Sequence, residues 1–211
     1  NNARLGVGAQ GVGIAEAAYQ HALEYALERK QGKAGADGTG TIVDHADVRR
    51  MLLTMKADVF AARAIALSCA HAIDMSHATE DKSWTARAAL LTPIAKAFGT
   101  DTGIAVSDMA LQVHGGMGFI EETGAAQFIR DVRVTAIYEG TNGVQAMDLV
   151  ARKMMDGGEA ANRLLDAIEA DSEASREMYP NMSEAVWQAC ETCVGCASAS
   201  QGGDGGQGDT P

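Results

Sequence analysis

The residues best suited to chemistry lie in the segment IYEGTNG, residues 137–143, where Glu139 stands between an aromatic residue and a glycine. An acid in such company is most often a solvated surface residue. Gly140, Thr141 and Asn142, however, are typical of the start of a helix, where free backbone amides can bind an oxygen atom. An acid beside such amides could remove a proton next to a carbonyl while the amides stabilise the oxyanion.

A second candidate segment is ALQVHGGMGF, residues 110–119, which contains paired glycines. The simpler interpretation is a helix that ends in a glycine cap, the commonest use of such residues. The functional interpretation is a close approach of Gly115 and Gly116 to a flat or phosphate-bearing ligand, with Gln112 as a hydrogen-bonding side chain. Both interpretations remain open from this segment alone.

Metal binding is the third chemistry to consider. The C-terminal region has CxxCxxC spacing at Cys190, Cys193 and Cys196, but the sequence offers no fourth ligand nearby. An iron–sulfur cluster or a tetrahedral zinc site needs four ligands. His45 and His114 each stand alone near a loop, without a second ligand at a suitable spacing. We therefore predict no metal site.

Charge and hydropathy exclude several function classes. The 211 residues carry a formal net charge of −11, whereas nucleic-acid binding requires a basic surface. Anionic small molecules remain possible ligands where arginines cluster locally. No apolar run approaches the roughly 18 residues that span a bilayer, and no signal peptide is visible. We expect a cytoplasmic protein without a membrane span.

Apolar periodicity indicates the elements that must hold these residues. It predicts long helices over residues 4–31, 45–77 and 83–114, followed by shorter helices over 124–132, from Asn142 onward, and over 159–177. The second helix has the clearest pattern, with apolar residues alternating four and three apart at Val48, Leu52, Met55, Val59, Ala62, Ala66, Cys69 and Ile73. No segment is typical of a strand. The predicted fold is an all-α, up-and-down bundle of long helices.

The faces of the first and third helices follow from the same pattern. The first helix is predicted to bury Leu5, Ala9, Val12, Tyr19, Leu23 and Ala26. Its glycines at 6, 8, 11 and 13 would suit a place where another chain or a ligand comes close. The third helix offers to the core Leu91, Ile94, Phe98, Met109 and Val113, and Pro93 is a possible kink.

The chain is predicted to divide into three parts. Residues 1–157 form the bundle, and residues 158–196 begin a helical C-terminal extension. Residues 197–211, ASASQGGDGGQGDTP beyond the last cysteine, have almost no apolar side chain larger than alanine and are expected to be disordered.

Three segments resemble, in this order, the C-terminal domain of the acyl-CoA dehydrogenases: ARLGVGAQGVGIAEAAYQHALEYALERK (3–30), IAKAFGTDTGIAVSDMALQVHGGMGF (94–119) and IRDVRVTAIYEGTNGVQ (129–145). QVHGGMGF followed by RD and IYEGT is a highly specific combination, although no single motif would be. The segments LLTPIAKAF and YEGTNGVQAMDLVARK look most like the large, C-terminally extended branch of that family.

This resemblance implies a role for each candidate residue. Glu139 would be the catalytic base, with Arg4 and Gly140 in contact with substrate. A minority of the family keeps its base beside the position of Arg4, but Asn1, Asn2 and Ala3 include no acid. The residues implied to bind FAD, in part that of a neighbouring subunit, are Arg29, Gln112, Gly115, Gly116 and Thr141.

The resemblance also implies partners: an acyl-CoA substrate, electron-transfer flavoprotein as electron acceptor, and a dimer or tetramer of this chain. The family surrounds its flavin with a β-domain and a second helical domain, so the chain is expected to be a fragment. Three departures from the family pattern concern the FAD contacts, namely Gln31 after ERK, Ala46 after His45, and Gly143. The alternatives are an acyl-CoA oxidase and a non-catalytic helical oligomerisation module.

Overall fold

The structure is a computed structural model that describes residues 2–33, 38–155 and 157–201, with the side chains from 194 onward excluded. The described residues form helices and no strand, apart from an isolated bridge between Lys30 and Thr41, which confirms the all-α prediction. The helices are α1 (Asn2–Glu28), α2 (Ala46–Ala78), α3 (Lys82–His114), α4 (Gly116–Phe119), α5 (Ala125–Arg133), α6 (Asn142–Asp148), α7 (Glu159–Ser175) and α8 (Pro180–Gln201). Within these ranges, none is long and apolar enough to cross a bilayer.

Helix α2 buries the face that its heptad spacing predicts. Leu52, Met55, Val59, Ala62 and Cys69 are buried, and Val48, Ala66 and Ile73 are partly buried. Two hydrophobic clusters include most of these side chains. One joins Val48, Leu52, Met55 and Val59 with Val106, and the other joins Cys69 and Ile73 with Leu91. Because the repeat of 3.5 residues matches a packed helix seam, the pattern was sufficient to place this helix.

Helix α1 buries Val12 and Ala26 as predicted and partly buries Leu5, Tyr19 and Leu23, but the predicted Ala9 is exposed. Its fully buried positions are mostly small residues: Val7, Gly8, Gly11, Val12, Ala15, Ala18, Ala22 and Ala26. A Cβ atom at Gly8 would lie 2.5 Å from the carbonyl oxygen of Ala95, and one at Gly11 would lie 2.3 Å from that of Gly99. The close approach expected at the glycines is therefore made at Gly8 and Gly11, by α3 of the same chain.

The three long helices run up, down and up. Gly8 faces Ala95, Gly11 faces Gly99, and Tyr25 stacks on His114 with ring centroids 4.4 Å apart, so α1 and α3 run in the same direction. Helix α3 continues through Pro93 and buries Leu91 and Val113 as predicted. Phe98 is 41% exposed and does not enter the core, because the inner face of α3 here is made by Gly99, Thr100 and Gly103.

The C-terminal part begins with α6 and a π-helical turn over Leu149–Lys153, in which the amide of Met154 donates to the carbonyl of Leu149 at 3.1 Å. Helix α7 packs Leu164 against the Cys69 cluster. Helix α8 then contains the cysteine segment and extends to Gln201, five residues into the predicted tail. Residues 202–211 lie outside the described residues.

Candidate active site

The first group of site residues surrounds Glu139. Its backbone has φ +55°, and among the described residues it alone has a positive φ without being a glycine. Gly140 follows with φ +85°. Left-handed backbone costs an ordinary residue about 1–2 kcal/mol, so other contacts must hold the segment in this form. The Glu139 side chain is exposed.

Gln145 supplies such contacts and was not identified from the sequence. It lies in α6, is only 1% exposed, and its Nε2 donates to the carbonyl of Glu139 at 3.3 Å and to that of Gly140 at 3.0 Å. Its Oε1 accepts from Nη1 of Arg4 at 3.2 Å. Gln145 thus connects Arg4 with Glu139 and Gly140, and these three predicted site residues lie together.

Thr141 and Asn142 fasten the start of α6. Thr141 is the N-cap, and its hydroxyl accepts from the amide of Val144 at 3.4 Å. The Asn142 side chain donates to Asp101 at 2.7 Å and accepts from Nζ of Lys96 at 2.9 Å. Lys96 is fully buried in α3, and burial lowers the pKa of its ammonium group while the charge of Asp101 opposes this effect. In the sequence, a single lysine within the apolar segment PIAKAF could have indicated that Lys96 is buried and needs a polar partner such as Asn142.

The second group lies at the other end of the bundle. Arg29, Gly115 and Gly116 line a groove of about 660 Å³ together with Tyr25, His45 and His114. Gly115 has φ +59°, and a Cβ atom at Gly115 or Gly116 would meet nothing within 4 Å. The glycines therefore end α3 and also leave open space beside the groove. Gln112 is exposed, and its carbonyl accepts from the amide of Gly115 at 3.0 Å.

The two groups are well separated. Between Asp101, beside the Glu139 turn, and Gly115, beside the groove, helix α3 rises about 20 Å. Arg4 and Arg29 lie near opposite ends of α1, about 37 Å apart along the helix. The structure brings together Arg4, Glu139, Gly140 and Thr141 in one group, and Arg29, Gly115 and Gly116 in another. A single molecule that touched both groups would have to span most of the bundle.

The two histidines have structural partners. His45 Nε2 lies 2.9 Å from the carbonyl oxygen of Gln31. His114 is buried, stacks on His21 and Tyr25, and places Nδ1 2.8 Å from the carbonyl oxygen of Ala110. Burial lowers the pKa of His114, so its ring is neutral at pH 7. Its Nε2 is buried and has no hydrogen-bond partner among the described residues.

We predict that the cysteine segment of α8 holds no metal. Cys190 is buried and Cys193 is exposed, while the side chain of Cys196 lies outside the described residues. Burial, followed by the charges of Glu169 and Cys193, raises the pKa of the Cys190 thiol, which opposes the thiolate that a metal requires. Elemental analysis of protein purified without oxygen should find neither zinc nor iron near one atom per chain. Stoichiometric metal would overturn this prediction.

The chain resembles known proteins over most of its length. Residues 1–155 match the sequence profile described as "Acyl-CoA dehydrogenase, C-terminal domain". The 3-methylmercaptopropionyl-CoA dehydrogenase of Ruegeria pomeroyi is 47% identical over 176 residues, which cover 80% of this chain and 30% of that protein. Subunit CarC of the caffeyl-CoA reductase-Etf complex of Acetobacterium woodii is 34% identical over 146 residues, which cover 68% and 34%.

A solved structure shows the same fold. Butyryl-CoA dehydrogenase from Megasphaera elsdenii superposes with a TM-score of 0.59 at 34% sequence identity, covering 70% of this chain and 35% of that one. The chain therefore spans about a third of the length of the proteins it matches. The matched profile includes the Glu139 turn, the groove and every predicted site residue, and it ends where the π-helical turn gives way to α7.

Proposed function

Because this chain belongs to the acyl-CoA dehydrogenase family, we propose that it carries the catalytic base of a flavin-dependent enzyme that introduces an α,β double bond into an acyl-CoA thioester. The observation that supports this assignment most directly is the turn at Glu139. The exposed carboxylate projects from a left-handed residue whose carbonyl, together with that of the next residue, is held by a buried glutamine, so the backbone that carries the acid is fixed.

Each residue of the first group has a part in this proposal. Glu139 removes the proton from the α-carbon of the thioester. For this transfer a carboxylate oxygen must come within about 3 Å of the carbon that carries the proton. Backbone amides of the Glu139–Gly140 turn donate to the thioester oxygen as negative charge develops on it. Arg4 supplies positive charge beside the acyl-CoA, since its side chain is 28% exposed.

The groove at the other end fits one end of FAD. Arg29 offers charge to a phosphate, and Tyr25 and the open space at Gly116 suit a flat ring. We assign Arg29, Gln112, Gly115 and Gly116 to the FAD of a neighbouring subunit, and Thr141 to a different FAD molecule, the one that lies at the first group. When bound, FAD supplies the acceptor for the hydride that leaves the β-carbon.

The proposed partners are a second flavoprotein and further copies of this chain. Electron-transfer flavoprotein is the proposed electron acceptor, supported by the relationship to the CarC subunit of an Etf complex. A homo-oligomer is supported by apolar side chains seven residues apart on the outer face of α2, where Leu53, Phe60 and Leu67 are 68%, 75% and 64% exposed. A molar mass of one chain by light scattering would contradict self-association. We propose a cytoplasmic location.

The proposed reaction predicts a direct optical result. In a flavin-loaded enzyme that carries this chain, butyryl-CoA or 3-methylmercaptopropionyl-CoA added without oxygen should reduce the flavin. The visible absorbance band of the oxidised flavin should then disappear. Air should restore the absorbance slowly in a dehydrogenase and within the turnover time in an oxidase. No bleaching with acyl-CoA thioesters of any chain length would favour the non-catalytic oligomerisation module instead.

A further inference from the structure

Asp148 is a buried charge that the proposed reaction does not use. It lies at the end of α6, is 2% exposed, and its Oδ2 accepts from Nη1 of Arg4 at 2.7 Å. Its Oδ1 lies 2.7 Å from Nε of Arg152, which the π-helical turn places one turn later. Burial raises the pKa of Asp148, but the hydrogen bond from Arg4 and the charges of Lys153, Arg152 and Arg4 outweigh it and hold the pKa below its usual value. The carboxylate is therefore ionised at neutral pH.

Arg4 transmits this fixed charge to Gln145. The same Nη1 that reaches Asp148 also donates to Oε1 of Gln145 at 3.2 Å. An amide side chain has an acceptor on one side and a donor on the other. Because the donor of Arg4 fixes Oε1 toward itself, the Nε2 group of Gln145 must face the carbonyls of Glu139 and Gly140. If Arg4 lost its anionic partner, Gln145 would lose the contact that sets its orientation.

The two carbonyls determine where the base points. Both belong to the left-handed pair at Glu139 and Gly140, and a Cβ atom at Gly140 would lie 2.8 Å from Nε2 of Gln145, so the amide packs directly on the turn. Peptide planes whose carbonyls are held cannot rotate without breaking these bonds. The Cα atom of Glu139 begins the first of the two held peptide planes, so its Cα–Cβ bond leaves the backbone next to a plane that cannot turn freely.

We propose that Asp148 and Gln145 are positioning residues for the base, and that Arg4 acts on Glu139 through them in addition to its charge near the substrate. This inference rests on the proposed function, because it concerns the same turn. Neither Gln145 nor Asp148 takes part in the proposed reaction itself, so their roles follow only from the contacts described above. The network connects the first turn of α1 to the last residue of α6 and passes through the turn between them.

The test uses the isosteric variants Gln145→Glu and Asp148→Asn in the flavin-loaded enzyme. Gln145→Glu removes the donor that faces the two carbonyls, and Asp148→Asn removes the charge that holds Arg4. Both should lower kcat about 10-fold to 100-fold, because a small misplacement of a reacting group is costly. The KM for acyl-CoA should change less than about 3-fold, since ground-state binding uses other contacts. Met147→Ala, on an exposed position of the same helix, is the matched control and should leave both constants unchanged.

A second measurement separates this inference from the proposed function. Hydrogen–deuterium exchange of the peptide over residues 137–145 should be at least about 10-fold faster in both isosteric variants than in the Met147→Ala control, with α1 to α3 unchanged, because the bonds that close the turn are lost. Wild-type protein that fails to bleach would overturn the proposed function, whereas unchanged exchange would overturn the positioning role. An active wild type with unchanged kcat in Gln145→Glu, or a raised KM alone, would also overturn it.

Discussion

Replacing Glu139 with glutamine should abolish dehydrogenation and leave FAD bound. The amide keeps the size of the carboxylate but cannot accept the α-proton, and loss of a general base typically lowers turnover by about 10²-fold or more. The Asn1, Asn2 and Ala3 segment beside Arg4 includes no acid, and Asp148, the carboxylate that Arg4 contacts, is buried and held in an ion pair. The measurement is the rate of flavin bleaching by acyl-CoA under anaerobic conditions, with the flavin-to-protein ratio determined on the same sample.

Glu122→Gln is the matched control for this experiment. Glu122 is another exposed acid in a short turn, ahead of α5, and has no part in the proposed chemistry. Its substitution should leave the bleaching rate at the wild-type value. If Glu139→Gln retained more than about a tenth of wild-type turnover, the loss would be too small for a general base, and Glu139 would not be that base.

Replacing Gly11 with alanine should destabilise the protein by about 3 kcal/mol or more, near the upper end for overpacked cores. The new methyl carbon would lie 2.3 Å from the carbonyl oxygen of Gly99 and 2.8 Å from the Cα of Thr100. Carbon atoms in favourable contact lie about 3.5–4.0 Å apart, so α1 and α3 would have to separate by more than about 1 Å. Both neighbours are backbone atoms inside a long helix, and neither can swing aside as a side chain would.

The same helix provides the control for this prediction. Gly13 and Gly6 lie in α1, and a methyl carbon added at either position would meet nothing within 4 Å, so alanine there relieves only the helix penalty of glycine. Gly13→Ala should therefore raise stability by up to about 1 kcal/mol. Urea unfolding followed by circular dichroism gives the free energies of the wild type and both variants. Equal effects at Gly11 and Gly13 would mean that the α1–α3 contact does not depend on the missing side chain.

The sequence was informative where side chains repeat with a helical period. The four-and-three spacing of Leu52, Met55, Val59 and Cys69 identified α2 and its buried face, because packing energy follows the apolar surface. The same reasoning placed Ala9 of α1 and Phe98 of α3 in the core and was wrong at both. In this contact the helices approach through glycine, and a residue without a side chain contributes nothing to an apolar periodicity.

The candidate site shows a similar division. Glu139, Gly140 and Thr141 could be identified because their order is distinctive, and the structure places them together with Arg4. Gln145 and Asp148 could not, because a glutamine and an aspartate on a short helix are ordinary surface residues until the partner on α1 is known. That partner, Arg4, lies 141 and 144 positions earlier in the chain. Contacts at such separation are set by how the helices pack, which a local pattern does not specify.

The π-helical turn at Leu149–Lys153 follows directly after the helix that holds the Glu139 turn. An α-helix advances about 100° per residue, so one additional residue within a regular helix would turn everything after it by that angle. A π turn accommodates an additional residue as a local widening. Removing one residue here would therefore tighten the segment to an ordinary α-helical turn, and Gln145 and the Glu139 turn, which come before it, would stay in place. The chain length of this turn is thus a variable separate from the contacts that hold the Glu139 turn.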